Sequence, residues 1–180
     1  MHRSGPVPPE RSALEAAFRE LHGRRLHGFA LLLTLGDSER AGVLAGEALT
    51  AGSTRVAELR HPERAAAWLR ARVTSRANRV ADPTPRSAAA TSALGVDGAT
   101  LHGLAVLDVR TRAAVIGRIV EGLDMRDVGT IVARDGRDLR RIIDRGMERY
   151  ATARATMADQ GNDAGPTVEL IRSIARRAIE

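Results

Sequence analysis

The chain contains no cysteine and no lysine. Without cysteine, a disulfide framework, a thiolate zinc site and a cysteine nucleophile are excluded. Aromatic residues are scarce: Phe18, Phe29, Trp68 and Tyr150 are the whole set. A β-sandwich or barrel wants more aromatic and β-branched side chains than this. No apolar run approaches the roughly 18 residues that a transmembrane helix needs. The start, with Pro6, Pro8, Pro9 and Glu10, has no apolar signal-peptide core. What is abundant instead is alanine, leucine and arginine, all strong helix formers. The expectation is a soluble, cytoplasmic, all-α protein without a membrane partner.

With no lysine, all 28 basic residues are arginine, and the net charge is +6. Arginine offers a planar fork that suits phosphates and guanine edges. The excess is uneven: +5 over residues 1–81, −1 over 82–103, +2 over 104–150 and zero over 151–180. A polyanion-binding surface shared by two regions is the functional reading, against a solvated arginine surface in a chain biased away from lysine.

Periodicity divides the chain into two helical units and a tail. A helix is expected from Arg11, with Ser12 and Glu15 as a capping box and Leu14, Ala17, Phe18 and Leu21 on its apolar face. The run Leu26 to Leu35 is apolar enough to be core, and Gly36-Asp37 breaks it. A third helix runs from about Ser38 to Val56, with Val43, Leu44, Ala48 and Leu49 as apolar positions and Gly42, Gly46 and Gly52 weakening it. Pro62 opens a helix to Val80, with Ala66, Leu69 and Val73 inward and Arg64, Arg70, Arg72, Arg76 and Arg79 as its charged set. Trp68 reads as a core residue before a stacking platform.

Residues 82–103, opening Asp82-Pro83-Thr84-Pro85, look like a linker. The second unit has a helix over Val109 to Val120, a stop at Glu121-Gly122, and a short helix capped by Asp124 and carrying Val128, Ile131 and Val132. After a break at Ala133-Arg134-Asp135-Gly136, a last helix places Leu139, Ile142, Ile143 and Met147 inward. Two helices around a short turn, the second rich in arginine, form a helix-turn-helix pattern. Arg137, Arg140, Arg141 and Arg145 lie on this candidate recognition helix, where they can reach base edges and phosphates. The tail ends in a short amphipathic helix from Thr167, with Val168, Leu170, Ile171, Ile174 and Ile179 as its apolar residues.

The two units, in this order, resemble a sigma factor of the sigma-70 superfamily, of the compact extracytoplasmic-function type. Thr34, Gly36, Asp37, Glu39, Leu44 and Glu47 fall on matching positions of that family's first helical pair. "AAAWLRARVTSRANR" resembles the helix that faces the −10 strand, and "LDVRTRAAVIGRIVEGLDMRDVGTIVARDGRDLRRIIDRGMERY" lines up without a gap against the −35 domain. The family's acidic positions are here Arg40, Gly42, Val43 and Gly46; its usual glycine in the turn is Ala133, and Asp135 stands where serine is frequent.

The resemblance implies a −10 domain over 11–81, a flexible linker over 82–103, a −35 domain over 104–150 and a tail over 151–180. It implies promoter DNA and core RNA polymerase as partners, an anti-sigma factor as a further one, and no cofactor. Glu39, Leu44 and Glu47 are the implied polymerase contacts. Arg64, Arg70, Arg72, Arg76 and Arg79 are the implied contacts to the separated strand. A sigma-derived DNA-binding regulator, or a protein-interaction module, is the alternative where polymerase recruitment has been lost. Catalysis has little support: the five histidines (His2, His22, His27, His61, His102) lack metal-ligand spacing, and no phosphate-binding glycine loop is present.

Overall fold

The computed structural model describes residues 9–59, 61–79 and 97–159. Within them it is all-helical, with seven α-helices and no strand. They are α1 (Pro9–Leu33), α2 (Ser38–Ser53), α3 (Pro62–Ala77), α4 (Gly98–Ala105), α5 (Val109–Val115, running into a π turn at Ile116–Val120), α6 (Met125–Val132) and α7 (Gly136–Asp159). The stretch from Thr167, and residues 82–96 of the expected linker, lie outside the described residues.

Aspartate starts four of the helices. Asp37 Oδ1 accepts from the Arg40 amide (3.1 Å), Asp97 Oδ1 from Thr100 (2.6 Å) and Asp124 Oδ1 from Asp127 (2.7 Å). Asp108 accepts from the Arg110 and Thr111 amides and from the Thr111 hydroxyl. Each bond satisfies an amide that has no partner inside its helix. Burial alone would raise the Asp108 pKa; the Thr111 and Arg110 hydrogen bonds and the Arg149 charge outweigh it and hold the carboxyl below its usual range.

The expected first helix and the apolar run after it are one continuous helix, α1. Ser12 lies inside it, so the capping box at Ser12 does not form. The expected apolar face is also displaced. Leu14 and Leu21 are 51% and 59% exposed, while Phe18, His22, Leu26, Phe29, Ala30 and Leu33 are buried. Those six recur at spacings of three and four, which makes the buried stripe of one long helix. In α2, Val43 is likewise exposed, and Leu44, Ala45 and Ala48 face inward. Gly42 and Gly46 open onto space, whereas a Cβ on Gly52 would stand 2.9 Å from both Leu69 Cδ2 and Phe18 Cε1. Gly52 is what lets α2 approach α1 and α3 closely.

α1 packs on α2, α3 lies against both, and α4 and α5 pack along α7. α6 rests on α3, and α5 with its π turn reaches α1. The two units therefore do not stand apart: one apolar cluster runs from Phe18 and Phe29 to Leu139 and Tyr150. The second unit also begins earlier than expected. Asp97 caps α4, whose Ala99, Thr100 and Leu101 are buried, so residues 98–103 are structure and not linker.

Arg112 joins the units. It is fully buried, and its Nε, Nη1 and Nη2 donate to the carbonyls of Leu104 (2.8 Å), Leu33 (2.8 Å) and Leu107 (2.7 Å). Leu33 is the last residue of α1, and Leu104 and Leu107 stand at the end of α4. Two helix C-termini, each carrying partial negative charge, thus converge on one guanidinium.

Two substitutions test this packing by chemical denaturation. Gly52→Ala should destabilise the chain by about 1–3 kcal/mol, because its methyl group overpacks against Phe18 and Leu69. Ala133 has φ 54° and is exposed. Ala133→Gly should stabilise by about 1 kcal/mol, because it removes the left-handed penalty and costs no buried contact.

Candidate nucleic-acid interface

α6 and α7 are two helices joined by a short turn over residues 133–135. α6 ends on Ala133, whose amide donates to the Gly129 carbonyl, and the Arg134 amide donates to the same oxygen (3.1 Å). A Cβ on Gly129 would lie 2.6 Å from the Arg134 carbonyl oxygen, so glycine is needed there for the chain to turn this tightly. α7 then buries Leu139, Ile143, Gly146 and Tyr150, a stripe at spacings of four, three and four. Ile142 and Met147 are half-buried beside it.

That stripe fixes where the arginines point. Arg137, Arg140, Arg141 and Arg145 are all exposed. Arg141 pairs with Asp138 at 3.4 Å, both well exposed, and such a pair contributes only about 0–1 kcal/mol. Beside them, a groove of about 650 Å³ runs between α6 and α7, with Met125 and Leu139 among its lining and Arg126, Arg134 and Arg140 at its sides. Arg126, in the first turn of α6, and Arg134, in the turn between the helices, are additional cations of this surface.

The second basic surface is on α3. Trp68, Arg72 and Arg76 recur at spacings of four along one side of the helix, and Arg79, expected inside it, follows in the turn beyond its end at Ala77. Trp68 is half-buried against the core, and the guanidiniums of Arg55 and Arg72 lie 5.6 and 5.2 Å from its ring centroid. Cation–π attraction holds both over the indole. Arg76 Nε meets Glu47 Oε2 at 3.1 Å, with both side chains about half exposed. Arg72, Arg76 and Arg79 share a small cleft of about 140 Å³ with Leu44, Glu47 and Ala48. Arg64 is exposed near the start of α3.

Arg70 is a correction. It is 4% exposed and does not belong to the basic surface. Its Nε and Nη2 donate to the two Glu121 carboxylate oxygens at 2.7 and 2.6 Å, and its Nη1 donates to the Ala66 carbonyl at 3.0 Å. Its guanidinium also lies 5.7 Å from the Phe29 ring centroid. Leu44 is the second correction: it is 5% exposed and belongs to the core, not to a polymerase-binding surface. Of its two companions, Glu39 is exposed in the first turn of α2 and Glu47 is engaged by Arg76.

Sequence reasoning also missed Arg112. Its signal was positional: it lies three residues after Val109 and four before Ile116, on the apolar face of α5. His22 is core in the same sense. Its ring stands 4.6 Å from that of Phe18. Burial, then Arg70 and Arg25, push its pKa down, so it packs as the neutral imidazole. Among the described residues no group of three or more His, Cys, Asp or Glu can hold a metal ion. Among them, too, no helix is long and apolar enough to cross a membrane.

Compared with known proteins, the chain matches no family model, no curated protein and no solved structure.

Where α6 meets α3, Asp127 is pushed above the usual carboxylate range by burial, then by Asp124 and Glu63, against the pull of Arg126 and Arg70. An ionised Asp127 is therefore disfavoured in the fold, and protonation there adds stability as pH falls through its raised pKa. Denaturation of wild type and Asp127→Asn between pH 7 and pH 4 should show the difference shifting in favour of wild type as pH falls.

Proposed function

We propose that the chain is a sigma-like transcription initiation factor that recognises promoter DNA with α7 and α3 and engages core RNA polymerase through α2. One observation carries the reading: four arginines of α7 are exposed on a helix that follows a tight turn and a capped partner helix. The order of the two basic units along the chain supports it.

The physical chemistry is that of two successive contacts. α7 is a long, rigid helix held by its apolar stripe, so its outward arginines are presented together. In a major groove, those near its N-terminus reach guanine O6 and N7 with two parallel hydrogen bonds. Arginines nearer the groove walls neutralise phosphates and release counterions, which makes binding fall with salt. The α3 stripe suits a separated strand. Arg72 and Arg76, about 6 Å apart along the helix axis, can follow successive phosphates together with Arg79 in the turn beyond, with Trp68 at one end offering an aromatic surface. The corresponding polymerase contact is small: Glu39, with Glu47 once it leaves Arg76.

A second reading has its own observation. With Leu44 in the core and Glu47 paired to Arg76, the α2 surface offers few groups for a polymerase. On that reading the chain is a DNA-binding regulator of the same build that acts without polymerase.

Selection of bound fragments from a genomic duplex library, followed by titration of the best fragment, tests the DNA contact. Arg137→Ala and Arg141→Ala should each weaken specific binding about 5- to 100-fold. Arg134→Ala should weaken binding to all sequences alike and reduce the log–log salt slope by about 0.9. Retention of wild-type affinity in all three variants would refute the assignment of α7.

A further inference from the structure

We propose that the cleft between α2 and α3 is a binding site for a dianionic phosphate monoester, and that the Glu47 carboxylate holds part of it until such a group arrives. The site stands on its own geometry and does not depend on the promoter reading above.

Its walls are two helices whose inner faces are fixed. Leu44 and Ala48 of α2 are buried in the core, and so are Val73 and Ala77 of α3. Arg40 ties the walls together: its Nη2 donates to the Ala77 carbonyl at 3.4 Å, where α3 ends. Between the walls lies the cleft of about 140 Å³, lined by Leu44, Glu47, Ala48, Arg72, Arg76 and Arg79. A water occupies about 30 Å³ in the liquid, so the cleft has the volume of a few waters, which a phosphate group displaces.

The charge in the cleft is unbalanced. Three guanidiniums face one carboxylate, which leaves two positive charges over. A phosphate monoester carries about −1.5 to −2 charge at pH 7 and presents three acceptor oxygens. A phosphodiester link in a strand carries a single charge. The guanidinium fork sends two parallel N–H groups to phosphate oxygens. Charge therefore matches the cleft to the monoester before the diester.

Glu47 is the internal competitor. Its Oε2 accepts from Arg76 Nε at 3.1 Å, with both side chains about half exposed. Such a pair contributes only about 0–1 kcal/mol, so an incoming phosphate displaces the carboxylate at little cost and takes Arg76. Arg72 both lines the cleft and lies 5.2 Å from the Trp68 ring centroid. Drawing Arg72 toward a phosphate changes the surroundings of the indole, and Trp68 is the single tryptophan of the chain.

The test titrates methyl phosphate and dimethyl phosphate, which differ by a methyl group and a charge, into the full chain at fixed ionic strength and a pH of about 7.5, above the second monoester pKa. Trp68 fluorescence and the nitrogen resonances of the arginine Nε groups are followed. Methyl phosphate should saturate, shift Arg72, Arg76 and Arg79 together, and bind at least about 5-fold more tightly than dimethyl phosphate. Arg76→Gln should weaken it about 10-fold or more, and Glu47→Gln should strengthen it about 2- to 5-fold. Glu20→Gln and Arg110→Gln change the charge by the same amounts at exposed positions outside the cleft, and should each alter affinity less than about 2-fold. All four variants are at exposed side chains, and circular dichroism checks that each keeps its helices. Equal binding of the two ligands would overturn the dianion site and leave a surface for a strand's phosphodiesters. A titration that does not saturate, or a Glu20→Gln effect as large as that of Glu47→Gln, would overturn the cleft as a site.

Discussion

One guanidinium organises the meeting of the two helical units. Arg112 sits with no exposure where α1 and α4 end, and it donates to the carbonyls of Leu33, Leu104 and Leu107 there. Burying a cation is costly, by several kcal/mol. Charge-assisted hydrogen bonds and the two helix dipoles offset that cost at this one place. Lysine, with a compact ammonium, would not reach three carbonyls in one plane so well. The consequence extends outward. With the C-terminus of α1 fixed to the α4–α5 corner, α3 and α6 come face to face, and the apolar cluster runs through both units without a break.

The arginines of this chain divide by what their neighbours offer. Arg112 and Arg70 are inside, matched to carbonyls and to Glu121. Arg72 and Arg55 lie over Trp68, their charge still near solvent. Those of α7 point outward because Leu139, Ile143 and Gly146 take the inner face. The buried ones build the frame, and the outer ones stay on the surface. The packing of the two units leaves the outer sets exposed.

Much of the frame was legible from residue type. Asp124 could be read as a cap, and Gly36 with Asp37 and Pro62 as boundaries, because those residues act on the backbone locally. The inward positions Leu69, Val73 and Leu139 followed from a period of three to four. The misreadings share a cause. Leu14, Leu21 and Val43 are apolar but stay outside, since a helix with several apolar positions offers more than one stripe and only the packing partner selects among them. Arg70 and Arg112 look like surface residues in any charge count; what takes them inside is a carboxylate 51 residues away and a carbonyl 79 residues away. Long-range partners of that kind leave no local pattern. The linker reads as extending to residue 103 because Gly98, Ala99, Thr100 and Gly103 resemble a loop, whereas Asp97 caps a helix there and Gly103 accommodates the ring of Tyr150.

The central claim is that this arrangement serves transcription initiation, and the most direct measurement is run-off transcription with purified core RNA polymerase on a genomic fragment library. If the claim holds, adding the chain produces start sites that core polymerase alone does not, and the chain co-purifies with the polymerase. No new start sites and no association, alongside specific binding to duplex DNA, would contradict it and leave a DNA-binding regulator that works without polymerase.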